Sequence, residues 1–115
     1  MILETFKRRK EELFARLKQR EALTPDLERE ITEVYGGRGE RALEAVKHRR
    51  VVKRGQRWFV RGKSGEYEVV KNFCTCRDYV LNISTGKAGV DCCYHVLAKN
   101  ICEILNSYLV LEPEG

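Results

Sequence analysis

The sequence predicts an α+β chain: N-terminal helices, then a short antiparallel β-meander, then a ββα-like finger ending in a C-terminal helix. Three observations predict it. Apolar residues recur at helical spacing as far as His48, the period falls to two from Arg50 onward, and two tight Cys/His pairs then bracket a loop before a last apolar helical stripe. On this reading residues 1–48 form a helical N-terminal extension, and residues 49–115 form a basic β-ribbon followed by the finger.

Residues 3–22 carry Leu3, Phe6, Leu13, Phe14 and Leu17 among alternating Lys, Arg and Glu, without Gly or Pro. That is a helix with one apolar stripe. Thr24 is a suitable N-cap, Pro25 suits the first helical position, and Asp26 and Glu28 complement the helix dipole, so a second helix follows. It presents Leu27, Ile31, Val34 and Tyr35, and Gly36-Gly37 stops it. A third short helix runs from Glu40 to about His48 with Leu43 and Val46 inward. The charged faces, including Lys7-Arg8-Arg9-Lys10, are expected to be solvated.

Val51–Arg54, Arg57–Arg61 and Glu66–Lys71 are the predicted strands, separated by the Gly55-Gln56 turn and by Gly62-Lys63-Ser64-Gly65. If Gly55 and Gln56 are the whole first loop, Arg54 pairs with Arg57, Lys53 with Trp58, Val52 with Phe59, Val51 with Val60 and Arg50 with Arg61. One face then shows Phe59 and Val52 flanked by Arg50, Arg54, Arg57 and Arg61. Like charges directly opposed destabilise a sheet. An anionic partner would relieve that repulsion, with phosphate on the arginines and a base stacked on Phe59. In the alternative arrangement Phe59 and Val52 face the core, the arginines snorkel to water, and Trp58 is exposed.

Cys74-Thr75-Cys76 and Cys93-Tyr94-His95 supply three thiols and an imidazole in two pairs, separated by the sixteen residues Arg77 to Cys92. One intervening residue lets two side chains of an extended chain face one side. Zinc takes thiolate at about 2.3 Å and imidazole at about 2.0–2.1 Å, and a Cys3His set fills all its tetrahedral positions. A full set argues for a structural ion, because a catalytic zinc keeps one position for water or substrate. A Cys93 nucleophile with His95 as base and Asp91 or Asp78 as orienter would leave Cys74 and Cys76 unexplained, so no enzyme is expected. Cys92 offers a competing C-x-x-H register, and the fifth cysteine, Cys102, lies two helical turns beyond His95, too far to share the ion. Cys102 is expected to be a buried free thiol and His48, amid Lys47, Arg49 and Arg50, a surface residue.

The pattern C-x-C, a variable gap and C-x-H resembles the SWIM zinc-finger family over roughly residues 65–105, including a β-rich approach to Phe73-Cys74-Thr75-Cys76, an aromatic at Tyr79 and His95 entering Val96-Leu97-Ala98. Tyr94 stands where the family often has a basic residue. The resemblance implies Zn2+ held by Cys74, Cys76, Cys93 and His95. It also implies a small free-standing SWIM-domain protein that binds DNA or protein, in recombination or repair alongside a recombinase paralogue. Residues 65–105 are expected to depend on the metal for their shape.

Charge locates the expected contact surface. The net charge is +5, with fifteen basic against ten acidic residues over 1–54 and seven against seven over 55–115. From Ala45 to Gly65 there is no acid. Arg49, Arg50, Lys53, Arg54, Arg57, Phe59, Arg61 and Lys63 are therefore the candidate nucleic-acid contacts, and the SWIM resemblance implies DNA as the favoured nucleic acid. The alternative function is a protein-interaction adaptor that docks through its N-terminal helices without touching nucleic acid. An odd cysteine count and a charged start after Met1-Ile2-Leu3 lead us to expect reduced thiols and an intracellular protein, cytoplasmic or associated with nucleoid or nucleus. No apolar stretch approaches the roughly eighteen residues of a membrane span.

Overall fold

The computed structural model describes residues 4–20 and 22–112 and has the predicted α+β class. Helix α1, Glu4–Lys18, buries Leu13 and Leu17 completely and exposes its charged residues apart from the half-buried Lys10. It ends at Lys18, four residues before the position the spacing suggested, and Leu3 of the expected stripe lies outside the described residues. Helix α2, Pro25–Tyr35, starts as its sequence dictates: the Thr24 hydroxyl accepts a hydrogen bond from the Leu27 N–H at 3.2 Å, and Pro25 sits where no amide is needed. Gly36 closes it at φ +63°, a conformation without steric cost only for glycine.

Helix α3, Gly37–Lys47, begins directly after that residue, three positions earlier than expected. The tight turn brings α2 and α3 into backbone contact. A Cβ placed on Gly39 would stand 2.6 Å from the Ile31 carbonyl oxygen, so this crossing requires glycine.

The strands β1 (Val51–Arg54), β2 (Arg57–Gly62), β3 (Gly65–Val70) and β4 (Phe73–Cys74) form an antiparallel meander. The β1–β2 register is the predicted one throughout: Val51 faces Val60, Val52 faces Phe59, Lys53 faces Trp58 and Arg54 faces Arg57. A fifth strand was not anticipated. Helix α4, Tyr94–Leu105, stops at Asn106 in the left-handed conformation at φ +54°, and the chain returns as β5, Leu109–Leu111. Strand β5 pairs parallel with β1, giving the sheet order β4-β3-β2-β1-β5. Tyr108, between the end of α4 and β5, meets Trp58 edge-on at 4.7 Å between centroids. Pro113 and the residues after it lie outside the described part of the chain.

Helix α4 lies between the sheet and the N-terminal helices, packing on α1, α3 and strands β1 to β4. Val96, Leu97 and Ile101 are fully buried in a single cluster that runs from Leu13 and Ile31 to Val60 and Val69. Burying each such side chain contributes about 1.5–3 kcal/mol. The helix whose first turn carries His95 is thus anchored by the core, and that turn is held in place against β4.

Candidate metal centre

Strand β4 ends in Cys74, the chain turns through Thr75 to Cys76, and Cys93 and His95 open α4. The four donor atoms lie within 4.8 Å of one another and all four residues are buried. His95 directs Nδ1 at the cluster, 3.9 Å from both the Cys74 and the Cys93 sulfur. Drawn slightly closer together, donors so placed would surround one ion with bonds of about 2.0–2.3 Å. Backbone amides point at the sulfurs as well: the Cys76 N–H donates to Cys74 Sγ and the Tyr79 N–H to Cys76 Sγ, each at 3.4 Å. Such donors stabilise thiolate over thiol.

The electrostatics of the bare cluster favour a cation. The hydrogen bond from the Cys93 thiol pulls Cys74 down to about 4, and the same bond pushes Cys93 far above the ordinary thiol range. Burial raises Cys76. One thiol ionises readily and its neighbours then resist, as expected where several negative charges converge without a positive one. A divalent ion held there would remove that conflict and favour deprotonation of the other thiols.

The position of Cys92 settles the register. Burial and the neighbouring Asp91 raise its thiol, and it interacts with Asp91 and Tyr35 rather than with the cluster. Cys93 supplies the third thiol of the group. Cys102 is buried, as expected, and burial holds its thiol up to about 12. His48 caps the end of α3, exposed.

The loop between the pairs is organised, not slack. Residues Tyr79–Ile83 form a π-helical turn, where the sequence suggested only loop. Asp78 anchors it: Arg38 of α3 grips the carboxylate with Nε and Nη2 at 2.8 and 2.7 Å, and the Asn82 amide donates at 2.9 Å. Farther along, Lys10 pairs with Asp91, which also accepts from the Tyr35 hydroxyl at 3.1 Å. Helices α1, α2 and α3 thereby hold both ends of the loop.

The expected nucleic-acid residues divide among several environments. Phe59 does lie on the face with Arg54 and Arg57, but both guanidinium groups already sit over its ring, at 4.9 and 5.1 Å from the centroid. Strand β3 supplies the negative charge that we expected a partner to bring. Glu68 takes Arg57 at 2.8 and 2.9 Å, and Glu66 takes Arg54 and Arg61. These acids face Phe59 and Arg61 across the β2–β3 ladder. Val52 on this face is fully buried, whereas Trp58 on the opposite face is buried beneath Lys53 and Lys99. Arg49 adopts φ +56° at the bend between α3 and β1. Arg50 and Lys63 sit elsewhere, in the wall of a cleft of about 350 Å³ beside the Cys/His cluster.

Two further cations of that cleft, Arg41 and Arg77, were not among the sequence candidates, and neither were Tyr67 and Tyr94. The two tyrosines enclose the imidazole of His95, with centroids at 4.7 and 4.0 Å. The signal for Tyr94 was its place between two ligands. Arg41 gave none, because it arrives from a helix distant in sequence.

Among the described residues, no helix is long and apolar enough to cross a membrane. No protein-family model matches the chain, and no solved structure matches it. The sequence is similar to an uncharacterized protein of the archaeon Archaeoglobus fulgidus, 38% identical over 74 residues. That match spans 64% of this chain and 61% of the archaeal protein, about three fifths of the relative's length. This chain therefore has an archaeal relative in sequence and carries a buried Cys3His cluster able to hold a metal ion.

Proposed function

We propose that the protein is a zinc-stabilised, non-catalytic binding module of the SWIM type. The observation that carries this reading is the buried convergence of Cys74, Cys76, Cys93 and His95. Three thiolates and an imidazole suit zinc above harder cations, and a complete tetrahedral set supports a structural role over a catalytic one. The ion's work would be to clamp β4 to the first turn of α4 and to close the loop between them. Purified protein should contain one zinc per chain by mass spectrometry, and the Cys76→Ala variant should contain far less. Zinc-free wild-type protein that also fails to take up zinc on refolding would refute the reading.

Nucleic acid, with DNA preferred, is the partner we propose. Support comes from Arg41, Arg50, Lys63 and Arg77, which gather at one cleft with no salt bridge to a carboxylate among the described residues. The recombination or repair setting, with a recombinase paralogue, comes from the SWIM resemblance alone and is part of the same proposal. Anisotropy titrations of zinc-loaded protein with single-stranded and duplex DNA across a salt series test it, because phosphate contacts make affinity fall steeply with salt. A second reading, the protein adaptor, is favoured by a different surface from the one we expected. Val70, Phe73, Val80 and Leu81 are each about half exposed around edge strand β4. Apolar groups at a sheet edge favour a protein partner. Absence of DNA binding at low salt would select the adaptor.

A further inference from the structure

We propose that the cleft beside the metal centre is a phosphate-binding pocket in which His95, a metal ligand through one nitrogen, donates the N–H of its other nitrogen to the anion. The inference rests on the metal-centre reading above and adds a ligand to it.

The argument begins with the imidazole. Nδ1 faces the sulfurs, so in a neutral ligated ring the proton resides on Nε2. A metal-bound histidine almost always donates that second N–H to a carboxylate, a carbonyl or water, which fixes the ring and strengthens the ligand. His95 is 4% exposed, and its Nε2 has no hydrogen-bond partner among the described residues. An unmade bond at a buried donor costs about 1–3 kcal/mol.

The surroundings of Nε2 point to what completes the bond. Gly62 and His95 both line the cleft. A Cβ on Gly62 would lie 3.1 Å from the Tyr94 hydroxyl, 3.5 Å from the Gly65 carbonyl oxygen and 3.6 Å from Nε2, so any side chain there would crowd both polar groups. Tyr67 and Tyr94 both pack against the ring and line the same cleft as Gly62.

Charge selects an anion. Arg41, Arg50, Lys63 and Arg77 line the same cleft against Glu44 and Asp78, and Asp78 is already held by Arg38 and Asn82. Three thiolates on a divalent ion leave the centre with one negative charge, which the four cations outweigh. Arginine forks match the geometry of phosphate oxygens, and a hydroxyl and an N–H at the cleft floor add neutral donors. The phosphate could belong to a nucleic-acid strand or to a free anion; the chemistry of recognition is shared. Because the anion and the ion bind opposite edges of one imidazole, occupancy of the cleft should be felt at the metal.

Cobalt-substituted full-length protein tests this, since the visible bands of tetrahedral Co2+ report on the ligand field. Sodium phosphate should shift those bands saturably where sodium chloride at equal ionic strength does not, and should raise the melting temperature. Gly62→Ala keeps every metal ligand and a backbone conformation open to alanine, so its cobalt bands should form normally while phosphate affinity falls about tenfold. Lys63→Gln and Arg50→Gln should each weaken phosphate several-fold and serve if Gly62→Ala folds poorly. Cobalt bands indifferent to phosphate, or unchanged phosphate affinity in all three variants, would overturn the inference and leave the metal centre standing. Failure of wild-type protein to form the cobalt bands at all would overturn both. Three further arms identify the source: a response to inorganic phosphate alone indicates a free anion, a response to oligonucleotides only when 5′-phosphorylated indicates a strand end, and a response to both oligonucleotide forms indicates the strand backbone.

Discussion

Stripping the metal should lower the melting temperature by about 12 °C without unfolding the molecule. The ion would close the sixteen residues between Cys76 and Cys93 into a loop. Opening a cross-linked loop of that length returns roughly 3 kcal/mol of chain entropy to the unfolded state. For a domain near this size, each kcal/mol moves the midpoint by about 4 °C. An isolated zinc finger loses everything with its metal, because about 10–16 kcal/mol of binding energy is its folding energy. Here the core does not end at the ligands: Leu13, Leu17, Ile31, Leu97 and Ile101 are fully buried in one cluster, and β2 and β3 pair from Trp58–Val69 to Gly62–Gly65. The dependence expected for residues 65–105 should therefore narrow to β4, the π-helical turn and the first turn of α4. Scanning calorimetry with and without chelator gives the shift, and hydrogen exchange gives its location. An unchanged midpoint after verified metal removal would refute the cross-link, and loss of the helical circular-dichroism signal at room temperature would refute the independent core.

Other consequences are as direct. Arg38→Ala should destabilise by about 1–3 kcal/mol in urea titrations, since two charge-assisted hydrogen bonds to Asp78 are lost. Arg38 holds the Asp78 carboxyl below the ordinary range, so the bridge contributes fully above the unfolded aspartate value of about 3.9 and fades as pH falls through the lower folded value. The difference between wild type and variant should be flat from neutral to mildly acidic pH and shrink only in acid. Gly39→Ala should cost about 1–3 kcal/mol, because the Ile31 carbonyl blocks the new methyl; equal stability would show that α2 and α3 can part freely. Metal binding near neutral pH should release protons, because the Cys76 and Cys93 thiols stand above the ordinary range and a metal takes them as thiolates. Calorimetry in buffers of different ionisation enthalpy measures the number, and affinity should fall as pH falls.

What could be read from the sequence was whatever is fixed by spacing along the chain. The Thr24-Pro25 helix start, the Gly55-Gln56 hairpin register and the four candidate ligands are local patterns, and each stands where expected. Glu66 and Glu68 could have been read too. Continuing the alternation through the second hairpin places them beside Arg61 and Phe59, which answers the charge repulsion within the sheet. Strand β5 could not be read this way: three residues after a left-handed Asn106 pair in parallel with a strand far back in the chain, and no periodicity announces a partner at that distance. The cleft at His95 has the same character, since Arg41, Lys63 and Arg77 come from three separate parts of the chain.

The parallel pairing of β5 with β1 also sets an order of assembly. Strand β1 can find β2 within microseconds of the turn forming, yet its other edge stays open until Leu109–Leu111 arrive by way of α4. During synthesis, then, Val52 and its neighbours present an unpaired edge for as long as the remainder of the chain takes to emerge. Late, long-range pairing of this kind slows folding and lengthens exposure to aggregation. The basic run around β1, from Lys47 to Arg57, would act as a guard in that interval, because repulsion between copies discourages the edge-to-edge pairing that an open strand invites.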